Sequence, residues 1–466
     1  MTPIGIAALL VWPFVTIFMF VTLPARRALL WSYMLGWLFL PQGGFDFPGI
    51  PGFGKIEATG IGAWIGILLF DPRPLSRFRF GWADIPLLVW TFCPIATSMS
   101  NQLGIYDGCS AAFGKFLTFM TPVLFGRIYF TKLEDLQELV KVFVMGALLY
   151  LPFTWLEMRF SPQLHRILYG FHQHSFAQTM RYGGYRPMVF LQHGLALASF
   201  MASSTVLSYW LWRSRALARV ANIPISAVVG VLAVTTVFCR SGNGVLEMLC
   251  GILAYTLCRI FPFRLLALAA LLVIPGYMLA RATNAITIQQ IVDFVSLIDR
   301  ERAGSLHARL RQEDHFVRHA TKRIVFGHGG WNRMFPLSED GSRLTRGVDG
   351  NWILVLSKHG VVGLLSWLFT LMIGPVLFFL RASPQTWTRP PTVVATAISV
   401  LIVLFMFDNL VNAMSQPFYL LTAGALISTA YFPVAGTQVI QSATSLQRLL
   451  PPRRRLVAGG GGSQTG

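Results

Sequence analysis

Long apolar runs separated by short polar breaks dominate the chain. The runs cover 4–23, 29–40, 59–70, 85–99, 111–129, 139–156, 188–212, 223–239, 245–258, 265–280, 352–380, 392–407 and 413–431. Several reach the roughly 20 residues a helix needs to cross the hydrocarbon core. The second and third are shorter, so the pattern predicts about 12 to 14 helices. The run at 4–23 has neither a charged leader nor a small-residue cleavage site, and it reads as a first transmembrane helix rather than a removed signal peptide. The expected fold is all-α, a polytopic transmembrane helical bundle. A single domain spans 1–446, and 447–466 is a flexible, basic and glycine-rich tail.

Composition agrees. Of the 466 residues 54% are hydrophobic and 12% charged, against about a quarter charged in soluble proteins. The formal charge of +19 would suggest nucleic acid in a soluble chain. Here most arginines lie in short loops, so they read as topology determinants and nucleic-acid binding is not expected. The five cysteines form no CxxC pair, which suggests neither a disulfide framework nor a zinc site.

Basic residues mark every second connection: Arg26 and Arg27; Arg73, Arg77 and Arg79; Arg127 and Lys132; Arg213, Arg215 and Arg219; Arg259 and Arg264; Arg381 and Arg389. The positive-inside rule makes these cytoplasmic, and Arg453 to Arg455 fall on the same side. The alternate connections are then extracytoplasmic. Two of them are long, 159–187 and 281–350, and hold most of the histidines.

Candidate chemistry gathers in those outer connections. Arg240 ends one apolar run, where an arginine needs an anion or must snorkel to the interface. Arg186 lies where the loop 159–187 meets its helix, and His193 is expected about two turns deeper on that helix. Within 281–350, Arg302, Arg309, Arg311, Arg318 and Arg323 recur at helical spacing. Leu306, Leu310, Phe316 and Ala320 give that helix an apolar face, for the bundle or the membrane surface. Phe326-Gly327-His328-Gly329-Gly330 reads as a loop through which backbone approaches a ligand closely. Asp349-Gly350-Asn351-Trp352 sets a carboxylate at the mouth of a helix, as cap or as catalyst.

In this order the pieces resemble the O-antigen ligase and O-antigen polymerase family of bacterial membrane glycosyltransferases. The similarity covers 186 to about 431, and the first half only as a helix pattern. Arg186 matches the family's arginine before a middle helix, and Cys239-Arg240-Ser241 matches a serine-arginine-small motif with Cys in place of Ser. Arg302, Ser305 and Arg309 match the opening of the family's large outer loop. Phe326-Gly327-His328-Gly329 matches its Pro-x-x-Gly-x-Gly turn, with Val325 in place of the proline. Asp349-Gly350-Asn351-Trp352-Ile353 stands where the family has His-Asn-x-aromatic-Leu, with Gly360 at the matching spacing.

The resemblance implies a GT-C-like fold in the bacterial inner membrane and glycosyl transfer on its periplasmic face. The donor would be a glycan on undecaprenyl diphosphate and the acceptor a sugar hydroxyl on another glycan. The partners would be donor, acceptor, membrane lipid, and polysaccharide assembly and export proteins. Arg186, Arg240, Arg302 and Arg309 would contact the diphosphate. Asp349 would be the general base, with His328 as the second catalytic candidate and His193, Ser305, Trp352 and Asp408 as secondary ones. Negative charge grows on the diphosphate as the sugar leaves, and fixed arginines stabilise it most in the transition state, so neither metal nor cofactor is expected. Asp in place of the family's histidine favours an O-antigen or exopolysaccharide polymerase over a ligase.

The main competing reading is a transporter of lipid-linked sugars, which predicts broken helices and charge near the midplane. A scaffold for envelope assembly is the other, and it does not require arginines at helix mouths.

Overall fold

The computed structural model describes residues 1–45, 52–297, 300–330, 332–338, 342–344, 349–414 and 416–428, without the side chains of 300–303 and 305. The tail at 447–466 therefore lies outside the described residues.

The chain is an all-α polytopic membrane protein. Its helices are α1 (Pro3–Thr22), α2 (Ala25–Phe39), α3 (Lys55–Phe70), α4 (Arg73–Arg77), α5 (Ile85–Ser100), α6 (Ile105–Lys115), α7 (Thr121–Tyr129), α8 (Leu133–Phe160) and α9 (Leu164–Tyr169). They continue with α10 (Gly194–Arg213), α11 (Ile225–Phe238), α12 (Gly242–Ile260), α13 (Arg264–Ala282), α14 (Ile288–Ser296), α15 (Arg300–Ala320), α16 (Asn351–Arg381), α17 (Val393–Val411) and α18 (Pro417–Ser428). Among the described residues the apolar runs are largely helical, the run 111–129 covering parts of both α6 and α7, and 8 spans are long and apolar enough to cross a membrane. Among the described residues the strands are short hairpins, including β1 (Met180–Arg181) with β2 (Gly184–Tyr185).

Burial separates a protein-facing centre from a lipid-facing rim. Within the spans α10 is 89% and α17 83% buried, whereas α1 and α13 are 22% buried and α12 is 28%. The centre is therefore α10 and α17, packed against α8, α12 and α16. Small residues let helices touch elsewhere: a Cβ on Gly126 would lie 2.1 Å from the Leu421 carbonyl oxygen, and one on Gly424 1.9 Å from that of Val123. Close backbone approach of this kind supplies packing where lipid gives no hydrophobic drive.

Two features depart from the sequence reading. The apolar run at 188–212 becomes helical only at Gly194, and 187–193 is irregular although Met188 to Leu191 are buried. Side chains satisfy its backbone. Glu157 accepts from the Met188 and Val189 amides at 2.8 and 2.7 Å, and the Tyr150 hydroxyl accepts from Phe190 N at 2.9 Å. Gln173 Nε2 donates to the Val189 and Leu191 carbonyls, and Gln42 Nε2 to that of Phe190. Irregular backbone at membrane depth persists only when partnered in this way. His193 consequently caps α10 instead of lying two turns inside it.

The second departure is at α16, which breaks at Gly360 (φ 65°). Gly327 and Gly329 (φ 68° and 82°) press the loop 326–330 onto this break. His328 N and Gly329 N donate to the Ser357 and Lys358 carbonyls, both at 2.9 Å, and a Cβ on Gly327 would lie 2.6 Å from Gly360 N. The glycines expected to bring backbone near a ligand bring it onto α16.

α15 lies on the bundle. Leu310, Phe316, Val317 and Ala320 are buried while Arg311, Arg318 and Arg323 are exposed. Arg281, at the end of α13, has no exposed surface and fastens the helix, pairing with Glu313 at 2.7 Å and Asp314 at 2.5 Å.

Candidate functional site

At the start of α10 the chain encloses a cavity of about 460 Å³. Its wall carries Arg181, Arg186, Arg309, Asp349, His193 and His174, with Gln178, Gln192 and Asn412 beside them. The irregular segment 187–193 sets the floor, α15 delivers Arg309, and the residue before the α16 N-cap delivers Asp349.

Arg186 is buried, and its Nη2 donates to the Arg240 carbonyl at 2.9 Å. Its aliphatic stem lies over Gly194, where a Cβ would come within 2.4 Å of Arg186 Cδ. Burial, with Arg181 and Arg309 nearby, pushes its pKa down to about 10, so it stays a cation at neutral pH. Its Nε has no partner among the described residues. A buried, half-satisfied guanidinium among like charges is under tension that an anion relieves.

His193 Nδ1 accepts from Leu195 N at 3.0 Å, capping α10, which leaves the proton of the neutral ring on Nε2, 3.4 Å from Gln178 Oε1. The His174 ring stands edge-on at 4.6 Å. Burial, then His174, Arg186, Arg309 and Arg181, push its pKa down to about 3. His193 is therefore a neutral hydrogen-bond donor and a poor base.

Arg309 Nε pairs with Asp349 Oδ2 at 3.0 Å, with 39% and 52% of the two side chains exposed. Pairs this open are worth about 0–1 kcal/mol, so a stronger anion can displace the carboxylate. Asp349 does not cap α16: the N-cap is Gly350, with no side-chain cap bond.

Arg240 has a different task. Its backbone is left-handed (φ 53°), and its guanidinium donates to the carbonyls of Arg181, at 3.2 Å, and Tyr182. It fixes the β1–β2 hairpin that carries Arg181, and Arg240 itself is not among the residues lining the cavity. Ser241 caps α12 through Gly244 N.

Asp408 lies inside the last turn of α17, not in a loop, and does not cap a helix N-terminus. It is buried, accepts from Asn412 and, at 2.7 Å, from Asn243, whose Nδ2 also reaches Glu247 Oε1 at 2.8 Å. It holds Asn412 against the cavity from behind. Trp352 is fully buried, its ring 6.3 Å from that of Tyr277.

His328 is not brought to the cavity. It stacks on His319 at 3.8 Å beside the α16 break, its Nε2 2.9 Å from the His319 carbonyl. Burial, offset by that contact, lowers its pKa. The side chains of Arg302 and Ser305 lie outside the described residues; both positions fall on α15 within two turns of Arg309.

No known family model matches this chain, and no curated protein matches it. Arg181, Gln178 and Glu157 escaped the sequence reading, which followed arginines at helix ends, whereas these act through a hairpin and an irregular segment. Glu157 did leave a trace, as a carboxylate near the end of an apolar run. Among the described residues no group of three or more His, Cys, Asp or Glu side chains is placed to hold a metal.

Proposed function

We propose that this chain is a membrane glycosyltransferase of polysaccharide assembly. It transfers a glycan from a polyprenyl diphosphate carrier, undecaprenyl diphosphate in bacteria, to a sugar hydroxyl of a second glycan. The observation that carries the reading is the convergence of Arg181, Arg186 and Arg309 on one cavity whose wall also holds a loosely paired carboxylate, Asp349.

The roles follow from charge. The diphosphate takes Arg309 away from Asp349 and engages Arg186 and Arg181, whose planar forks grip phosphate oxygens two at a time. The freed Asp349 accepts the proton of the acceptor hydroxyl while its oxygen bonds to the anomeric carbon. The bond from that carbon to the diphosphate breaks, and the electron pair leaves with the diphosphate, where the arginines stabilise it. His193 Nε2–H donates to the diphosphate or to a sugar oxygen. The positive-inside pattern supports the reading that this cavity opens on the periplasmic face of the inner membrane.

The broken helix α16 is the observation that favours a transporter. Its break, however, is filled by the 326–330 loop of the same chain and lies away from the arginine cavity.

The test is the glycan profile of cells lacking this chain, complemented with wild type, Arg186→Gln or Asp349→Asn at matched membrane levels. A polymerase leaves single lipid-linked repeats that only wild type extends. Accumulated lipid-linked polymer would instead indicate a ligase joining glycan to lipid A core or another acceptor. Donor trapped on the cytoplasmic side would indicate a flippase and end the enzyme reading.

A further inference from the structure

α10, α12 and α17 meet a second cavity at the ends opposite the candidate site, roughly 30 Å away along the 20 residues of α10. Its volume is about 940 Å³, twice that of the first. Arg213 and Arg215 reach its wall from the end of α10, Arg259 from α12, and Arg389 from the turn before α17. Among the described residues no Asp or Glu lines it.

A neighbouring arginine-lined cavity differs in this respect. At the same end of the bundle, a cavity of about 510 Å³ is also lined by arginines, Arg26 and Arg27. There the fold supplies the counter-charges, Asp135 at 2.5 Å and Glu138 at 2.6 Å. Four guanidinium groups drawn from three connections around one hollow repel one another unless an anion enters.

The surroundings identify the anion's source. Beside Arg259 the chain exposes Phe261 (49%), Phe263 (64%) and Leu265 (80%), and the adjoining α12 and α13 are the lipid-facing rim. Trp212, 40% exposed, stands next to Arg213, an aromatic placed as at a membrane–water interface. A soluble anion would not need an apolar apron, whereas a lipid lays its acyl chains along it while its phosphate enters the hollow. Basic pockets between transmembrane helices recognise acidic headgroups in this way.

The geometry points to a binding site for the phosphate of an anionic phospholipid, formed by Arg213, Arg215, Arg259 and Arg389 between the ends of α10, α12 and α17. It is independent of the reaction proposed for the other cavity, since it rests only on the ends of three helices.

The full chain purified in detergent is titrated with phosphatidylglycerol, phosphatidylcholine or inorganic phosphate at matched ionic strength, with retained lipid read by native mass spectrometry and Tm in parallel. Phosphatidylglycerol is expected to remain bound as a discrete adduct and raise Tm, and phosphatidylcholine and inorganic phosphate to do neither. The Arg259→Gln/Arg389→Gln double variant should bind phosphatidylglycerol about tenfold or more weakly. Arg27→Gln, at the acid-lined neighbour, should bind it as wild type does. Equal retention of the two lipids by wild type overturns the site, and this comparison needs no variant to fold. Full binding by the folded double variant overturns it too, as does an equal Tm rise with inorganic phosphate, which would make the ligand a soluble anion.

Discussion

The two arginine cavities at the ends of α10 are built in opposite ways. At the 460 Å³ cavity the key cation, Arg186, is buried, tied to the Arg240 carbonyl and laid over Gly194, and the hairpin carrying Arg181 is itself fixed by Arg240. At the 940 Å³ cavity Arg213, Arg215, Arg259 and Arg389 are all exposed. Fixed charges require no reorganisation when charge appears, which is what the proposed transfer would need, whereas exposed ones suit a headgroup of variable position. On the proposed roles the same residue type would serve two purposes, set by how tightly its neighbours hold it.

The comparison breaks most visibly at Arg186. Arg186→Gln should lower transfer from a lipid-linked donor about 10²- to 10³-fold in proteoliposomes, the cost of removing a preorganised donor. Arg27→Gln, a surface pair with Glu138, should change it little. A loss under about threefold for Arg186→Gln would show that the rigid end is not the reacting end.

Asp349→Asn should lower turnover about 10²-fold or more. Donor binding should be unchanged or tighter, because Arg309 no longer has a carboxylate to leave. Weaker donor binding with normal turnover would assign Asp349 to recognition instead.

Arg281→Ala tests whether α15 depends on its anchor. Leaving Glu313 and Asp314 without their cation should cost about 3–5 kcal/mol, read as a fall in Tm, with transfer falling because α15 carries Arg309.

The smallest effect is on pH. His193 has a folded pKa near 3, below the ordinary 6.5, so between these values the unfolded chain binds more protons. The stability it contributes is complete above about 6.5 and is lost as pH falls toward 3. His193→Gln should therefore reduce the drop in Tm between neutral pH and about pH 5. An identical drop would show that the ring is not held neutral by its burial and by His174, Arg186, Arg309 and Arg181.

The site was partly legible. Arg186, Arg309 and Asp349 stood out because charge is scarce in such a chain, and the fold does bring them together. Arg240, conspicuous for the same reason, is spent on carbonyls of a hairpin that no periodicity announced. His328 was a catalytic candidate through the family resemblance, yet it lies away from the cavity, and the glycines around it serve the contact with α16. A glycine reports that something comes close without saying whether it is ligand or backbone.

The sequence by itself determined that the chain is helical and membrane-spanning, because lipid tolerates little besides apolar helix; it did not determine the number of crossings, since 8 described spans are long and apolar enough where about 12 to 14 helices were expected. It also determined where charge is concentrated. Tertiary structure alone decided that Glu157, Tyr150, Gln42 and Gln173 hold 187–193 out of helix, so that His193 faces the cavity as a cap. It alone decided which arginines are buried and fixed and which are exposed. Those outcomes depend on partners far apart in the chain, such as Arg186 with Arg240 and Arg309 with Asp349, and no local pattern encodes the distance between them.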